Sequence, residues 1–377
     1  MANIQVDFEN TSMVFSPGQI VAGNITVDVP DDFKARKICV ELCGKAYTFW
    51  EGEVKNTKVK NLDIVRVRHN CADHKAKIVY AKDELIVWRS EDQKNEIAAG
   101  SYVFKFSFAL PNWCPPSFEG DIGFIRYCIK VEIDRPWKFD DKFVRGFTVI
   151  PRIDLAQIPN SQFPSKRHIC EESGSILFKR GVVRLEVKLL RQGFVCGEQI
   201  PVEIQIENDS NKKFGKILWK LVQRVTYTGF RDGFVDSETC QQRQKVQYST
   251  RVNAQIRVEE RKFFEKLQDV KIEENTKHTI NENMTIPSLP PTIKSCDIIS
   301  VEYFLKIKLT SSGTFSKSIK VECPFIIGTE NSLKIPDPEI ESIRSYKRSI
   351  FGFNSTRLKN RSLQKFAPFY PVYNLTL

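Results

Sequence analysis

Two of the chain's four histidines, His69 and His74, stand with Cys71 in the string "HNCADH". Two imidazoles and a thiol so close together could begin a zinc site. A structural site wants four ligands, however, and no partnering cluster appears elsewhere in the sequence. The string reads better as a polar surface loop. A Cys–His enzyme would need its thiol and base brought together in space, and no P-loop, G-x-S-x-G or H-E-x-x-H string marks another catalytic centre. No catalytic residue, metal or cofactor is therefore expected. The ten cysteines are scattered singly with no C-x-x-C pair. Several lie inside apolar strand patterns, where a reduced cysteine is a small hydrophobe, so they read as core or strand residues and not as a disulfide framework.

Charge gives a second set of candidates. The formal net charge is +11, and from Ser342 onward seven Lys or Arg occur with no Asp or Glu: Arg344, Lys347, Arg348, Arg357, Lys359, Arg361 and Lys365. Phe351, Phe353, Phe366 and Phe369 are interleaved with them. Basic residues near an anionic leaflet contribute about 1 kcal/mol each, and aromatic rings insert at the interface, so peripheral membrane contact is one reading. The competing reading is a solvated, partly disordered tail whose charge aids solubility. On either reading, removing residues 342–377 is expected to leave the fold intact. Nucleic-acid binding is not expected, because neither a recognition helix nor zinc-finger spacing accompanies the charge.

The elements that must carry these residues show themselves through a repeat. "FSPGQIVAGNITV" at residue 15 and "FVCGEQIPVEIQI" at residue 194 share one plan. At an offset of 179, Phe15, Gly18, Ile25, Lys34, Lys37, Ile38 and Leu42 fall on Phe194, Gly197, Ile204, Lys213, Lys216, Ile217 and Leu221 without a gap. A second register, offset 176, carries Pro111, Pro115, Asp121, Ile122, Tyr127 and Lys130 onto Pro287, Pro291, Asp297, Ile298, Tyr303 and Lys306. Apolar and polar positions alternate within the repeated runs, as in half-buried antiparallel strands. The aromatic stripe Tyr102, Phe104, Phe106 and Phe108 maps onto His278, Ile280, Glu282 and Met284, so there the halves have diverged. Many short strands with polar turns predict sandwiches.

An all-β chain is thus expected, with two antiparallel β-sandwich domains in tandem at 1–155 and 174–330. A proline-bearing linker is expected at 156–173, and a flexible basic C-terminal tail at 331–377. No apolar run approaches the roughly 20 residues needed to cross a bilayer. The start "MANIQVDFEN" has no basic or apolar leader region, which predicts a cytoplasmic protein.

Six strings, "FSPGQIVAGNITV", "GSYVFKFSFALP", "PPSFEGDIGFIRYCIKVEIDRPWKFD", "FTVIPRIDL", "FVCGEQIPVEIQIEN" and "VECPFIIG", resemble successive signatures of the alpha-arrestins, the arrestin domain-containing family. The resemblance runs in the family's order from about residue 4 to about 330. It implies arrestin-like N- and C-terminal sandwiches and an adaptor that joins membrane receptors or transporters to ubiquitin ligases and the endocytic machinery. Such an adaptor would work from the cytoplasm, with peripheral association at the plasma membrane or endosomes.

The family's ligase link uses tail P-P-x-Y motifs, whose polyproline II backbone and tyrosine fit the groove of WW domains. This chain has no P-P-x-Y. Its degenerate counterpart is "YPVY", in which Tyr370 replaces the first proline before Pro371, Val372 and Tyr373. Tyr373, Pro371 and Tyr370 are therefore the candidate WW-ligand residues, against the alternative that this segment docks back onto a sandwich. Two departures narrow what the family implies. The first strand "NIQVDFEN" lacks the lysine pair through which visual and beta-type arrestins sense phosphate. "TINENMTIPSLPPTI" lacks the cysteine used by the thioredoxin-interacting protein, so a redox-linked binding protein is the alternative function and a Cys–His enzyme a more distant one.

Overall fold

The computed structural model describes residues 2–52, 73–91, 95–137, 139–173, 181–231, 236–237, 254–312, 318–332, 344–351 and 366–374. The N-terminal half carries β1 (Asn3–Phe8), β2 (Val14–Phe15), β3 (Ile20–Val29), β4 (Phe33–Lys34), β5 (Lys37–Trp50) and β6 (His74–Arg89). It continues with β7 (Glu96–Ile97), β8 (Gly100–Ala109), β9 (Phe118–Glu119), β10 (Gly123–Asp134) and β11 (Asp141–Val149). The C-terminal half carries β12 (Ser165–Ser173), β13 (Gly181–Leu189), β14 (Gly193–Val195), β15 (Gln199–Asp209) and β16 (Phe214–Arg231). After these come β17 (Asp236–Ser237), β18 (Ala254–Ile272), β19 (Thr276–Thr285), β20 (Ile299–Ser311) and β21 (Ser318–Gly328). Two tail strands follow, β22 (Arg344–Arg348) and β23 (Phe369–Tyr373). Helical structure among the described residues is a single 3-10 turn, Leu155–Gln157, capped by Asp154.

In the N-terminal half a sheet β1-β3-β8 packs over the sheet β2-β11-β10-β5-β6; in the C-terminal half β12-β13-β15-β19 packs over β14-β21-β20-β16, with β18 paired to β16. The larger sheets join where β16 meets β6, Phe230 lying opposite Lys75 and Arg231 opposite His74. Strand alternation does what the sequence demanded of it. Val21, Ile25 and Val27 of β3 and Ile200, Val202, Ile204 and Ile206 of β15 are all buried, while Asn24 and Gln205 are exposed.

The repeat is structural to the level of single contacts. β2 pairs in parallel with β11, and β14 in parallel with β21. Tyr127 Oη donates to Pro115 O at 2.8 Å, and its counterpart Tyr303 Oη to Pro290 O, one residue before the Pro115 equivalent Pro291, at 2.6 Å. Phe147 packs 5.3 Å from Phe15, and Phe325 packs 6.1 Å from Phe194. The diverged aromatic stripe keeps its pairing, since Phe104 lies opposite Ile25 and Ile280 opposite Ile204.

Three expectations are modified. Residues 165–173, placed in the linker from the neighbouring prolines and their own polarity, form β12 along β13; the prolines 151, 159 and 164 all precede it, so none interrupts its ladder. Residues 344–348 and 366–374 of the expected flexible tail are ordered, the tail strands pairing with one another. Their removal would open the core, because Val372 is 6% exposed and belongs to the main hydrophobic cluster. Of "HNCADH", His69 and Cys71 lie outside the described residues, and His74 stacks on Trp50 with ring centroids 5.3 Å apart.

Candidate functional site

The tail hairpin seats itself where the two sandwiches meet. β23 reads Phe369-Tyr370-Pro371-Val372-Tyr373, an aromatic and β-branched run with one proline, suited to a short edge-type strand. On the N-terminal side the Phe369 amide donates to Thr148 Oγ1 at 3.1 Å, and Tyr370 Oη donates to Ser117 O at 2.8 Å. The Tyr370 ring sits among Val14, Ile150 and Phe369. On the C-terminal side the Tyr373 amide donates to Cys196 O at 2.9 Å, and Tyr373 Oη to Thr329 O at 2.6 Å. Its ring packs with Leu155 and Val195. One strand thus hydrogen-bonds to both domains. Burial pushes both phenols above the ordinary tyrosine range, so both remain neutral donors.

The seat for this hairpin arises from a divergence inside the repeat. Gly18 (φ +82°) and Gly197 (φ +95°) occupy equivalent left-handed turns, donating to Leu110 O at 3.1 Å and Ile286 O at 2.8 Å. Over Gly18 lies the Asn112 side chain, its Oδ1 2.3 Å from where a Cβ would stand. Over Gly197 lies Tyr373 O, 2.1 Å from the corresponding point. Asn112 maps at offset 176 onto Ser288, and the shorter Ser288 hydroxyl instead donates to Lys347 O of β22 at 2.8 Å. The C-terminal half has replaced an internal cover with the tail.

Next to this seat runs a buried polar cluster. Arg126 grips Glu119 with two bonds of 2.6 and 2.8 Å, both side chains 3% exposed. Burial pushes the Glu119 carboxyl up, while Arg126 and Arg261 pull it down. Arg261, from β18 of the other domain, donates to Glu119 O at 3.2 Å and pairs with Asp121 at 3.0 Å. Close by, Asp154 accepts from Ser332 Oγ at 2.7 Å.

The candidate residues fall into three groups. Tyr370, Pro371 and Tyr373 are brought together and buried; while they stay docked, neither tyrosine ring is available to a WW groove. Arg344 is half-buried 3.8 Å from Glu330, whereas Lys347 and Arg348 are exposed. Arg357, Lys359, Arg361 and Lys365, like Phe353, lie outside the described residues. Of the other tail aromatics, Phe351 packs against the main core and Phe369 against Tyr370, so neither stands free to enter a bilayer in this state. Among the described residues no helix is long and apolar enough to cross a membrane. Ser117, Thr148 and Cys196 lie inside the strings quoted above, but nothing in the sequence marks them, or Thr329, as partners of the tail; Gly197 was visible through the repeated turn.

Two antiparallel sandwiches joined edge to edge, with matching parallel β2–β11 and β14–β21 pairs and a clasped tail, define an arrestin-type scaffold. The model of the arrestin (or S-antigen) N-terminal domain matches residues 4–156, and that of the C-terminal domain residues 179–332. Arrestin domain-containing protein 17 of Caenorhabditis elegans is 27% identical over 335 residues, spanning 86% of this chain and 70% of that protein. Arrestin domain-containing protein 4 of Mus musculus is 26% identical over 325 residues, spanning 85% and 70%. The thioredoxin-interacting protein of Sus scrofa is 23% identical over 361 residues, spanning 93% and 81%. The chain belongs to the alpha-arrestins, the arrestin domain-containing proteins.

Proposed function

We propose that this chain is a non-catalytic trafficking adaptor that links membrane cargo, receptors or transporters, to endocytic sorting and ubiquitination. The observation that carries the reading is the pair of arrestin domains bridged by a tail strand, the same strand that contains the degenerate WW-ligand candidate "YPVY". Docking and ligase binding compete for Tyr373, because one ring cannot fill a WW pocket and the Leu155–Val195 pocket at once. If the docked state is favoured by about 3 kcal/mol, the competent fraction falls to under about 1% and apparent affinity falls with it. A WW partner would then need tandem domains or a second contact that first draws out the tail. Exposed Lys347 and Arg348 offer such a contact to an anionic leaflet, working at the plasma membrane or endosomes from the cytoplasmic side.

Proximity labelling in living cells tests the reading. Transporters, receptors and endocytic factors among the labelled proteins are the expected result; a labelled set without them would overturn it. Titrating a tandem WW array against peptide 364–377 and against the full chain separates the ligase step. Tighter binding to the peptide, lost on Tyr373→Ala, is expected, whereas no binding at millimolar peptide would remove direct ligase contact.

A further inference from the structure

We propose that Cys43 and Cys128 form a peroxide-responsive dithiol on the outer face of the N-terminal sandwich. The pair is built by strand register: Cys128 of β10 lies directly opposite Cys43 of β5. Both side chains are half-buried, unlike Cys39, Cys114, Cys196, Cys296 and Cys323, which are buried. Directly opposed residues in antiparallel strands have Cα atoms about 4.5–5.5 Å apart, inside the roughly 4.4–6.8 Å window that a disulfide accepts. That spacing meets the Cα requirement for a bond between them.

The neighbours hold that register and keep the thiols reachable. One residue along, Gly44 lies opposite Tyr127, whose Cδ1 is 2.6 Å from where a Cβ would stand, so only glycine lets the ring lie over the strand. On the far side of Cys128 the opposed residue of β11 is Gly146, which puts no side chain over the sulfur. Cys43 lines a cavity of about 180 Å³ with Lys45, Lys77 and Lys82. The two thiols hydrogen-bond to each other. That bond lowers the Cys128 thiol, burial opposes it, Lys45 and Arg126 reinforce it, and Glu41 counters them; the net direction is down. The same bond and burial drive Cys43 up. Cys128 is thus the more readily ionised thiol and Cys43 the one that holds its proton more tightly, a division that favours Cys128 as the attacking sulfur.

With hydrogen peroxide as oxidant, the Cys128 sulfur attacks one oxygen. An S–O bond forms, the O–O bond breaks, and the departing hydroxide takes up the proton that the Cys128 thiol gave up on ionising, leaving as water. Cys43 sulfur then attacks the sulfenic sulfur; the S–S bond forms, the S–O bond breaks, and hydroxide leaves with the Cys43 proton as a second water. Two thiols and one peroxide give one disulfide and two waters. A thiol reductant reverses the product.

The test is a non-reducing peptide map of the full chain after brief treatment with equimolar peroxide. The expected result is a linked peptide pair containing Cys43 and Cys128 that dithiothreitol abolishes. In Cys43→Ser, Cys128 should stop at sulfenic acid and take up dimedone at least about tenfold faster than Cys323, the scale expected for a favoured thiolate against a buried thiol. A wild-type map with no Cys43–Cys128 link, or with Cys43 joined elsewhere, would overturn the proposal without reliance on any variant. Dimedone labelling of Cys128 no faster than of Cys323 would overturn the assignment of the attacking sulfur.

Discussion

Removing the Tyr370 ring is the sharpest perturbation of the tail clasp. The ring is 1% exposed among Val14, Ile150 and Phe369 and donates to Ser117 O at 2.8 Å. If β23 stayed in place, Tyr370→Ala would leave a cavity and a buried carbonyl without its donor. Aromatic-to-alanine changes in cores cost about 3–5 kcal/mol, and an orphaned acceptor adds about 1–3. Tyr373→Ala, with its ring 2% exposed and its own bond to Thr329 O, should cost a similar amount. A terminal strand has an alternative open to no core strand, however, which is to leave. The measured cost of any tail substitution therefore cannot exceed the free energy of docking, the quantity reported by deleting residues 366–377. Tyr370→Ala and Tyr373→Ala should each approach that ceiling, and the double variant should add little to either single one. Tyr370→Phe, which keeps the ring and loses one hydrogen bond, should cost about 0.5–1.5 kcal/mol. Urea unfolding gives the totals, and exchange of the Tyr373 amide, bonded to Cys196 O at 2.9 Å, reports docking directly. A truncated chain with an unchanged urea midpoint, or a double variant costing the sum of the singles, would refute the clasp.

Gly197→Ala should speed exchange of the Tyr373 amide and destabilise the full chain, because the new methyl meets Tyr373 O; in the truncated chain only the left-handed φ penalty of about 1–2 kcal/mol should remain. Ser288→Asn should restore an internal cover over Gly197 and expel the tail, read as lost Tyr373 protection in a chain whose truncated form keeps its stability. Glu119→Gln leaves the Arg126 guanidinium buried without its counter-ion, so urea unfolding at neutral pH should show a loss of about 3–5 kcal/mol. Acid should weaken the fold through carboxylates held below their ordinary range. For Glu132, burial is outweighed by Lys130 and Lys142, which hold it at about 2. For Asp154, burial is outweighed by hydrogen bonds from Ser332 and Ala156. Their folded values lie below the unfolded ones, so the contribution is complete above the ordinary carboxylate range and is lost as pH falls toward about 2. Thermal midpoints between pH 5 and pH 2 check the sign.

Strand existence and parity were legible because each β-strand records its burial in the alternation of its own residues. Ile25 and Ile204 fall on equivalent strands for that reason, as do Tyr127 and Tyr303. Even where the aromatic stripe diverged, the partners Phe104–Ile25 and Ile280–Ile204 held, since pairing is set by register and not by side-chain identity. The strand β12 was harder to see. Its run "SKRHICEES" has one central apolar residue, and it sits at a sheet edge with a single neighbour, so alternation was weakly written. The site was legible only as types. "YPVY" announces aromatic and proline surface but not whether that surface is offered or consumed, a choice made by Ser117, 253 residues away from Tyr370. Likewise, alternation sets Cys43 on the side of Glu41 and Cys128 on that of Lys130, but the opposition of the two thiols belongs to a register between strands far apart in sequence.

The repeat also explains why a tail can dock at one turn and not at its twin. Both sandwiches fold the same left-handed glycine turn, and both place an acceptor oxygen over it. In the N-terminal half that oxygen belongs to Asn112, a residue of the same domain, so the turn is closed as soon as the domain folds. In the C-terminal half the equivalent Ser288 is too short to reach across, and its hydroxyl turns to the Lys347 carbonyl. The oxygen over Gly197 must then come from elsewhere, and Tyr373 supplies it. Completion of one domain is thereby handed to a strand that also bonds to the other domain through Tyr370 and Phe369. Releasing the tail uncovers the Gly197 turn, frees the Ser117 carbonyl and loosens the junction in a single event, and the same event exposes Pro371 and Tyr373. A partner that captures the strand therefore reports on the junction, and a ligand that alters the junction changes the supply of strand; binding reciprocity requires the two effects to be equal.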